Sequence, residues 1–519
     1  MNSADQQETP SHWRGRPLLA LCLAMAFLQL LALYPTFCVA LGSIPDEGVV
    51  ALQAMNVMLG KVPHRDYFIL TPISSDYWVA AWFCIFGNSL ESLRAYFFTE
   101  MALSVACLQW VSARIFPKGW SELPPLFFLC TGPYGWMIAS PRWDAMFFLL
   151  LALVCLDWPM LSGVMVGLAA LTQHPAGAAG CAGISLALAL KTPGGLATKY
   201  KAVRTFWLGI LLLWFPFLLY LTSQDLVTAF FSDTIYFTLN TYAAAHKVGF
   251  DWNGMVSGLW AGLHTLRAGD VYTGFILLAY AIVDISTYGT WFALALLAPV
   301  WGLRSGKLPA AMGLSLTFLT LLEYVRPNRY HFGFHRPFVL LALVALVRLA
   351  ARGRRGLAVV LLICHALVAV AFIRSNLGSD IPVALPKGTL YVRDPERSEA
   401  MRSIAEVNAS IAPGEKIFFF PDEPLLQWLL GRGPATRDVA AFPQYYPFAH
   451  FVQTRLDLKN EGVENLCYVP MTMDFSAYPG LSPEAHAREE KWLVGFLSEG
   501  YRVSRRVAGL TFFRRKDLP

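Results

Sequence analysis

Charge is scarce in this sequence. Lys, Arg, Asp and Glu make up 15% of its 519 residues and hydrophobic residues 56%. Together with a mean hydropathy of +0.47, this excludes a disordered chain and an ordinary soluble domain. Cysteine is also sparse. Eight of the nine lie within or beside apolar segments and Cys467 stands alone in the polar C-terminal part, so no disulfide framework and no CxxC metal spacing is present. Internal repeats and low-complexity segments are absent, which excludes solenoids and arrays. The formal charge of +6 sits mostly in short clusters at the ends of apolar runs. It therefore reports membrane topology and not nucleic-acid binding.

What is present is a succession of apolar runs from Pro17 to about Ile373, each near the ~20 residues that a bilayer-spanning helix needs. The first follows a basic "HWRGR" like a signal peptide, but it exceeds the ~15 apolar residues of a cleavable one and reads as an uncleaved span. Placing Lys and Arg clusters in the cytoplasm gives one consistent path. "HWRGR" is inside and the segment after Asp46 outside. Residues 92 to 113 return inside, 121 to 139 go out, 144 to 157 come in, and 161 to 190 form a hairpin turning at Gln173, His174 and Pro175. Residues 205 to 222 exit to a long aromatic loop, and "RSGK" at 304 to 307 is the next cytoplasmic marker. Residues 308 to 325, 337 to 350 and 357 to 373 complete the path. The expectation is a mainly α, polytopic helical membrane protein of about eleven spans, its termini on opposite sides. Residues 74 to 87 are too short and aromatic for a span and read as an interfacial helix on the outer face.

The division expected is a membrane domain over residues 1 to 373 and a small α/β extracytoplasmic domain over 388 to 519, after a loop around "SNLGSDIPVALPKG". "EKIFFF" and "ENLCYV" read as strands, "DEPLLQWLLGR" and "AREEKWLVGFLSEG" as helices, and "YRVSRRVAGLTFFRR" as a terminal hairpin. This domain has no glycine-rich phosphate loop and no nucleophile elbow, so no chemistry of its own is assigned to it.

The candidate functional residues all fall on the outer side. Asp46 and Glu47 follow Pro45, a good helix start with acids at the positive end of the dipole. Adjacent carboxylates there could instead share a cation or raise one another's basicity. "GKVPHRDYF" brings Lys61, His64, Arg65 and Asp66 to the same surface. "RPNRYHFGFHRPF" adds Arg326, Arg329, His331, His335 and Arg336. Basic residues on the side that the topology rule disfavours call for an anionic partner, and a phosphate suits them better than a zinc held by His331 and His335. "SPRWDAMFF" places Arg142 and Asp144 at the outer start of a span, where Asp144 is either a helix cap or a functional acid.

The order "PDEG", "MLGKVPHRDYF", "DYWVAAWFCIFGNSLESLRAYF" resembles the opening of the glycosyltransferase C superfamily. The similar branch contains aminoarabinose transferases, protein mannosyltransferases and galacturonosyltransferase-like proteins. The matching features are an acid ending the first span (Asp46), a first outer loop with His64 to Asp66, and Phe86 to Arg94 closing an interfacial helix. His64 stands where that branch commonly has an aromatic, and "LTQHP" at Leu171 to Pro175 replaces a lysine-containing version.

The resemblance implies a cell-membrane transferase, in the inner membrane if the cell is Gram-negative, serving lipopolysaccharide or protein glycosylation. Its donor would be a polyprenyl-phosphate sugar and its acceptor a glycan, lipid or protein hydroxyl. Asp46 and Glu47 would be the catalytic carboxylates, with Asp46 as the base. Arg65, Arg326, Arg329, His331, His335 and Arg336 would bind the donor phosphate, and Lys61, His64, Asp66, Arg142 and Asp144 the substrates. A divalent cation at the carboxylates could assist. A polytopic transporter, with Asp284 and Glu323 as its ionisable residues, and a lipid-linked oligosaccharide ligase are the alternatives.

Overall fold

The protein is described by a computed structural model over residues 16–39, 45–133, 137–242, 252–322, 333–352, 355–377, 380–420, 423–438, 448–468, 484, 491 and 495–518. Its helical part begins with α1 (Arg16–Leu33), α2 (Pro45–Met58), α3 (Ser74–Phe86), α4 (Leu90–Ile115), α5 (Leu123–Thr131) and α6 (Pro141–Val154). It continues with α7 (Pro159–Thr172), α8 (His174–Lys191), α9 (Leu196–Ser223) and α10 (Val227–Phe231), which runs into two π turns, Ser232–Tyr236 and Thr238–Tyr242. Then come α11 (Trp252–Arg267), α12 (Val271–Asp284), α13 (Trp291–Ser305), α14 (Lys307–Leu322), α15 (Arg336–Ala350) and α16 (Gly356–Asn376).

Local chemistry sets several of these boundaries. Ser89 caps α4 by accepting from Ser92 N at 3.2 Å, with Glu91 in the first turn and Arg114 in the last, each favourable to the helix dipole. α2 opens on Pro45 with Asp46 and Glu47 in its first turn. Among the described residues, four helical segments are long and apolar enough to cross a bilayer: Arg16–Thr36, Leu196–Ser223, Val271–Gly289 and Gly356–Asn376. Pro159–Thr172, Trp291–Ser305 and Lys307–Leu322 are shorter apolar helices.

The span expected over residues 121 to 139 differs. Its helix is only Leu123–Thr131, opened by Pro124 and Pro125 and closed at Gly132 and Pro133, because prolines limit both ends.

The C-terminal part starts with an antiparallel pair, β1 (Ile381–Leu385) and β2 (Gly388–Val392), where the sequence reads as a loop up to residue 388. Pro382 obscures the strand pattern, and it is tolerated because this is a ribbon of two edge strands. α17 (Pro395–Ser410), β3 (Ile417–Phe420), α18 (Pro424–Leu429), α19 (Phe448–Asn460), β4 (Asn465–Tyr468), β5 (Tyr501–Val507) and β6 (Leu510–Arg515) follow. The second sheet has the order β3-β4-β6-β5, with β3 and β4 parallel and the terminal β5–β6 hairpin antiparallel.

This domain is fastened to the first helices. Leu90 N donates to Lys387 O at 2.6 Å, Thr389 N to Glu91 Oε1 at 2.9 Å, and Tyr391 N to Cys38 O at 2.9 Å. Trp428 stacks on Phe83 at 6.1 Å and donates its indole N–H to Asn88. The glycine of "PDEG" is part of the same contact. A Cβ at Gly48 would run into the backbone of Pro424 and Leu425, so only glycine lets α18 lie on the acidic helix. Gly48→Ala is expected to cost about 1–3 kcal/mol or more through overpacking. A lowered thermal midpoint, together with faster protease nicking of the C-terminal domain, would report it.

Candidate functional site

The first turn of α2 holds the acids. Asp46 is half-buried, whereas Glu47 is 1% exposed and faces Arg94 of α4. Arg94 Nε lies 2.6 Å from Glu47 Oε1, Nη2 donates to Oε2 at 2.8 Å, and Nη1 donates to the Met137 carbonyl at 3.4 Å. Burial pushes the Glu47 carboxyl up and the Arg94 charge opposes that shift. Both Glu47 oxygens face the Arg94 fork, which makes this residue an anchor for α2.

The loop after α2 is organised by its own polar residues. Asp66 accepts from Val62 N at 2.7 Å and pairs with Arg65 at 2.9 and 3.0 Å, and the Arg65 hydrogen bond holds its carboxyl below the usual range. Arg65 remains largely exposed and Lys61 half-buried. His64 takes a left-handed φ of 66°, and its backbone N–H donates to Tyr67 O at 2.9 Å. Its buried ring meets Asp233 of the first π turn through Nδ1 at 3.1 Å. Arg437 donates to His64 O at 3.3 Å, tying the C-terminal domain to this loop. Through these contacts Asp66 and His64 hold the loop in place.

Residues 131 to 133 and 137 to 144 join the remaining pieces. The Arg336 guanidinium, at the start of α15, donates to the carbonyls of Thr131 and Gly132 at the end of α5, where a cation suits the helix dipole. His335 is buried with its ring 5.8 Å from Trp291. Arg142 lies over the Phe334 ring at 5.6 Å. Asp144, buried at the start of α6, accepts from Ser75 Oγ at 2.5 Å and from Tyr96 OH at 2.6 Å. Arg326, Arg329, His331 and Glu323 lie outside the described residues.

Asp76, next to Ser75, accepts from Tyr67 OH at 2.9 Å. Burial, opposed by that hydrogen bond and reinforced by the nearby Asp144 charge, pushes its carboxyl up to about 7. The folded chain then keeps a proton that the unfolded chain releases near pH 4, so this group favours folding at low pH. Its contribution is lost as pH rises from about 4 to about 7. Asp76→Asn keeps an acceptor for Tyr67 and is expected to raise the thermal midpoint at about pH 8 relative to the native chain. The gain should vanish near pH 4.

Arg94's partnership, Asp76, Asp233 and Glu100 were not singled out from the sequence. Glu100 carried a signal, an acid within an apolar run. Arg94 and Asp233 pair with residues distant in the chain and had none, and the Tyr67–Asp76 contact nine residues apart follows no periodicity. Among the described residues no group of three or more His, Cys, Asp or Glu is placed to hold a metal ion. Arg94's hold on Glu47 also removes the two-carboxylate cradle that a cation shared by Asp46 and Glu47 would need.

No protein-family profile and no curated protein matches this sequence. By structure it is similar to the crystal structure of ArnT from Cupriavidus metallidurans bound to undecaprenyl phosphate. The TM-score is 0.51 at 13% identity, over 96% of this chain and 97% of that one. The chain shares the fold of that structure. The crystal structure of the Archaeoglobus fulgidus oligosaccharyltransferase tethered with an acceptor peptide gives a TM-score of 0.49 at 10% identity, over 98% of this chain and 75% of that one. In this fold the acids of α2, the cation of α15 and the acids of α3 and α6 all sit at helix starts, linked through residues 131 to 133, residues 137 to 144 and the loop before α3.

Proposed function

We propose that this chain is an integral-membrane glycosyltransferase that moves a sugar from a polyprenyl-phosphate carrier to an acceptor hydroxyl on the extracytoplasmic face. The observation that carries the reading is the acidic start of α2, with Asp46 beside a buried Glu47–Arg94 anchor, in a fold shared along its whole length with a protein crystallised with undecaprenyl phosphate. In the reaction the acceptor oxygen bonds to the anomeric carbon as the carbon–oxygen bond to phosphate breaks. The hydroxyl proton passes to Asp46, and the bonding electron pair leaves with the lipid phosphate. Charge grows on that phosphate, and cations aimed at it lower the barrier. Arg336 and His335 open α15 directly after the basic segment with Arg326, Arg329 and His331, and that run is the proposed phosphate site. Arg65, still largely exposed, adds a further cation, while Lys61, Arg142 and Asp144 frame the sugar and acceptor.

The same reading gives the chain about eleven spans, a division near residues 373 to 388 and an extracytoplasmic C-terminal domain in the cell membrane, the inner one in a Gram-negative cell. Its acceptor is a glycan, lipid or protein. The test is purified protein in lipid nanodiscs, offered a panel of polyprenyl-phosphate sugars with candidate acceptors. Release of free polyprenyl phosphate from one donor is the expected result. A folded protein that neither binds nor turns over any donor would overturn the reading.

A further inference from the structure

His365 sits midway along α16, fully buried, and packs its ring flat on Phe127 of α5 at 4.7 Å and 18°. Its Nδ1 lies 2.6 Å from Thr131 Oγ1. The Thr131 hydroxyl has one proton and donates it to Phe127 O at 3.1 Å, one turn back in its own helix. The hydroxyl is therefore the acceptor in the contact with His365, which carries its proton on Nδ1. The Phe127 carbonyl, which can only accept, faces the same ring and agrees with that tautomer. Nε2 is then a bare acceptor, and no donor of a described residue reaches it. Burying an imidazole with one nitrogen unsatisfied costs stability, which an apolar side chain in this packing would not.

What Nδ1 holds is the end of α5. Thr131 is the last residue of that helix, and its carbonyl and that of Gly132 accept from the Arg336 guanidinium of α15. Both bonds use Nη1. Among the described residues no acceptor meets Nε or Nη2 of Arg336, which is only partly buried, so that edge of the guanidinium is left for an anion. Asp284, at the end of α12, attracts the same guanidinium. We propose that His365 and Thr131 are positioning residues that fix the end of α5 and thereby aim the Nε and Nη2 edge of Arg336 at the phosphate of a polyprenyl-phosphate ligand. This rests on the function proposed above, in which Arg336 belongs to the phosphate site. A planar guanidinium meets phosphate with two parallel N–H groups, so a tilt of that edge weakens both bonds at once. The histidine acts from α16, two hydrogen bonds away from the cation, and does not itself touch the ligand.

The test measures, by native mass spectrometry of the purified protein, binding of a polyprenyl phosphate and of the polyprenol of equal length, which lacks the phosphate. Native protein should bind the phosphate form more tightly. Thr131→Val, which keeps the shape of threonine without the hydroxyl, and His365→Leu should each weaken polyprenyl-phosphate binding about tenfold and leave polyprenol binding unchanged. Thr131→Ser restores the hydroxyl and His365→Asn restores an N–H near the Nδ1 position, and both should recover most of the loss. Adding Thr131→Val to Arg336→Met should cost nothing further, since the effect passes through Arg336. T131V and H365L that bind polyprenyl phosphate like native protein would overturn the proposal. So would an equal loss of both lipids, or a T131V loss that adds in full to that of R336M. If R336M does not fold, the phosphate-selective loss in T131V and its recovery in T131S decide alone. Native protein that binds both lipids alike would overturn the proposed function itself, and the positioning role with it.

Discussion

Arg94→Leu is expected to destabilise the protein by about 3–5 kcal/mol, because it leaves Glu47 buried without its partner. Arg94 is 2% exposed and fixes Glu47 through two nitrogens, so the variant loses a bidentate ion pair and the Met137 contact together. Arg94→Lys retains the charge but not the planar fork, and should fall between native and Arg94→Leu. Removing both charges, as in Glu47→Met with Arg94→Met, should recover much of the stability that either single change loses. No charge is then stranded, and two flexible apolar side chains fill the volume. The measurement is the thermal midpoint in detergent and in nanodiscs for the two single variants and the double variant. A double variant no more stable than the singles would show that the pair is not the buried unit the geometry describes. Donor turnover should follow the same order, since Asp46 precedes Glu47 and shares its helical turn.

Local chemistry made much of the fold legible. Pro45 with two acids marks a helix start, "SSDYWVAAWFCIF" is the short helix Ser74–Phe86 with Tyr77 and Trp78 exposed, and Gln173 to Pro175 turn the hairpin of α7 and α8. The strands "IFFF" and "NLCY" and the terminal hairpin stand where the apolar runs put them. Pairing across the chain was not legible. Glu47 meets Arg94 across 47 residues and His64 meets Asp233 across 169, and no periodicity links such partners. Gly48 illustrates the same limit. "PDEG" reads as a helix start, while the need for glycine comes from an α18 backbone far along the chain. β1 was hidden by Pro382, and the shortness of α5 by an apolar composition that continues past its end.

The candidate site divides the same way. Residue types and topology pointed to acids and basic side chains at one surface, but their roles depended on partners. Glu47, His64 and Asp66 pair with Arg94, Asp233 and Arg65 respectively, and Asp46 is half-buried at the head of α2.

The central claim is that Asp46 takes the proton of an acceptor hydroxyl while a lipid phosphate departs. Asn has the shape of Asp but cannot accept that proton, so Asp46→Asn should lower turnover by about 10²–10⁴-fold. Donor binding should remain, because the phosphate cations and the Glu47–Arg94 anchor are untouched. The decisive measurement is release of free polyprenyl phosphate by native and Asp46→Asn protein in the same nanodiscs, with donor binding measured in parallel. Release lost while binding persists is the predicted result. Release at the native rate from a variant that binds donor normally would contradict the account.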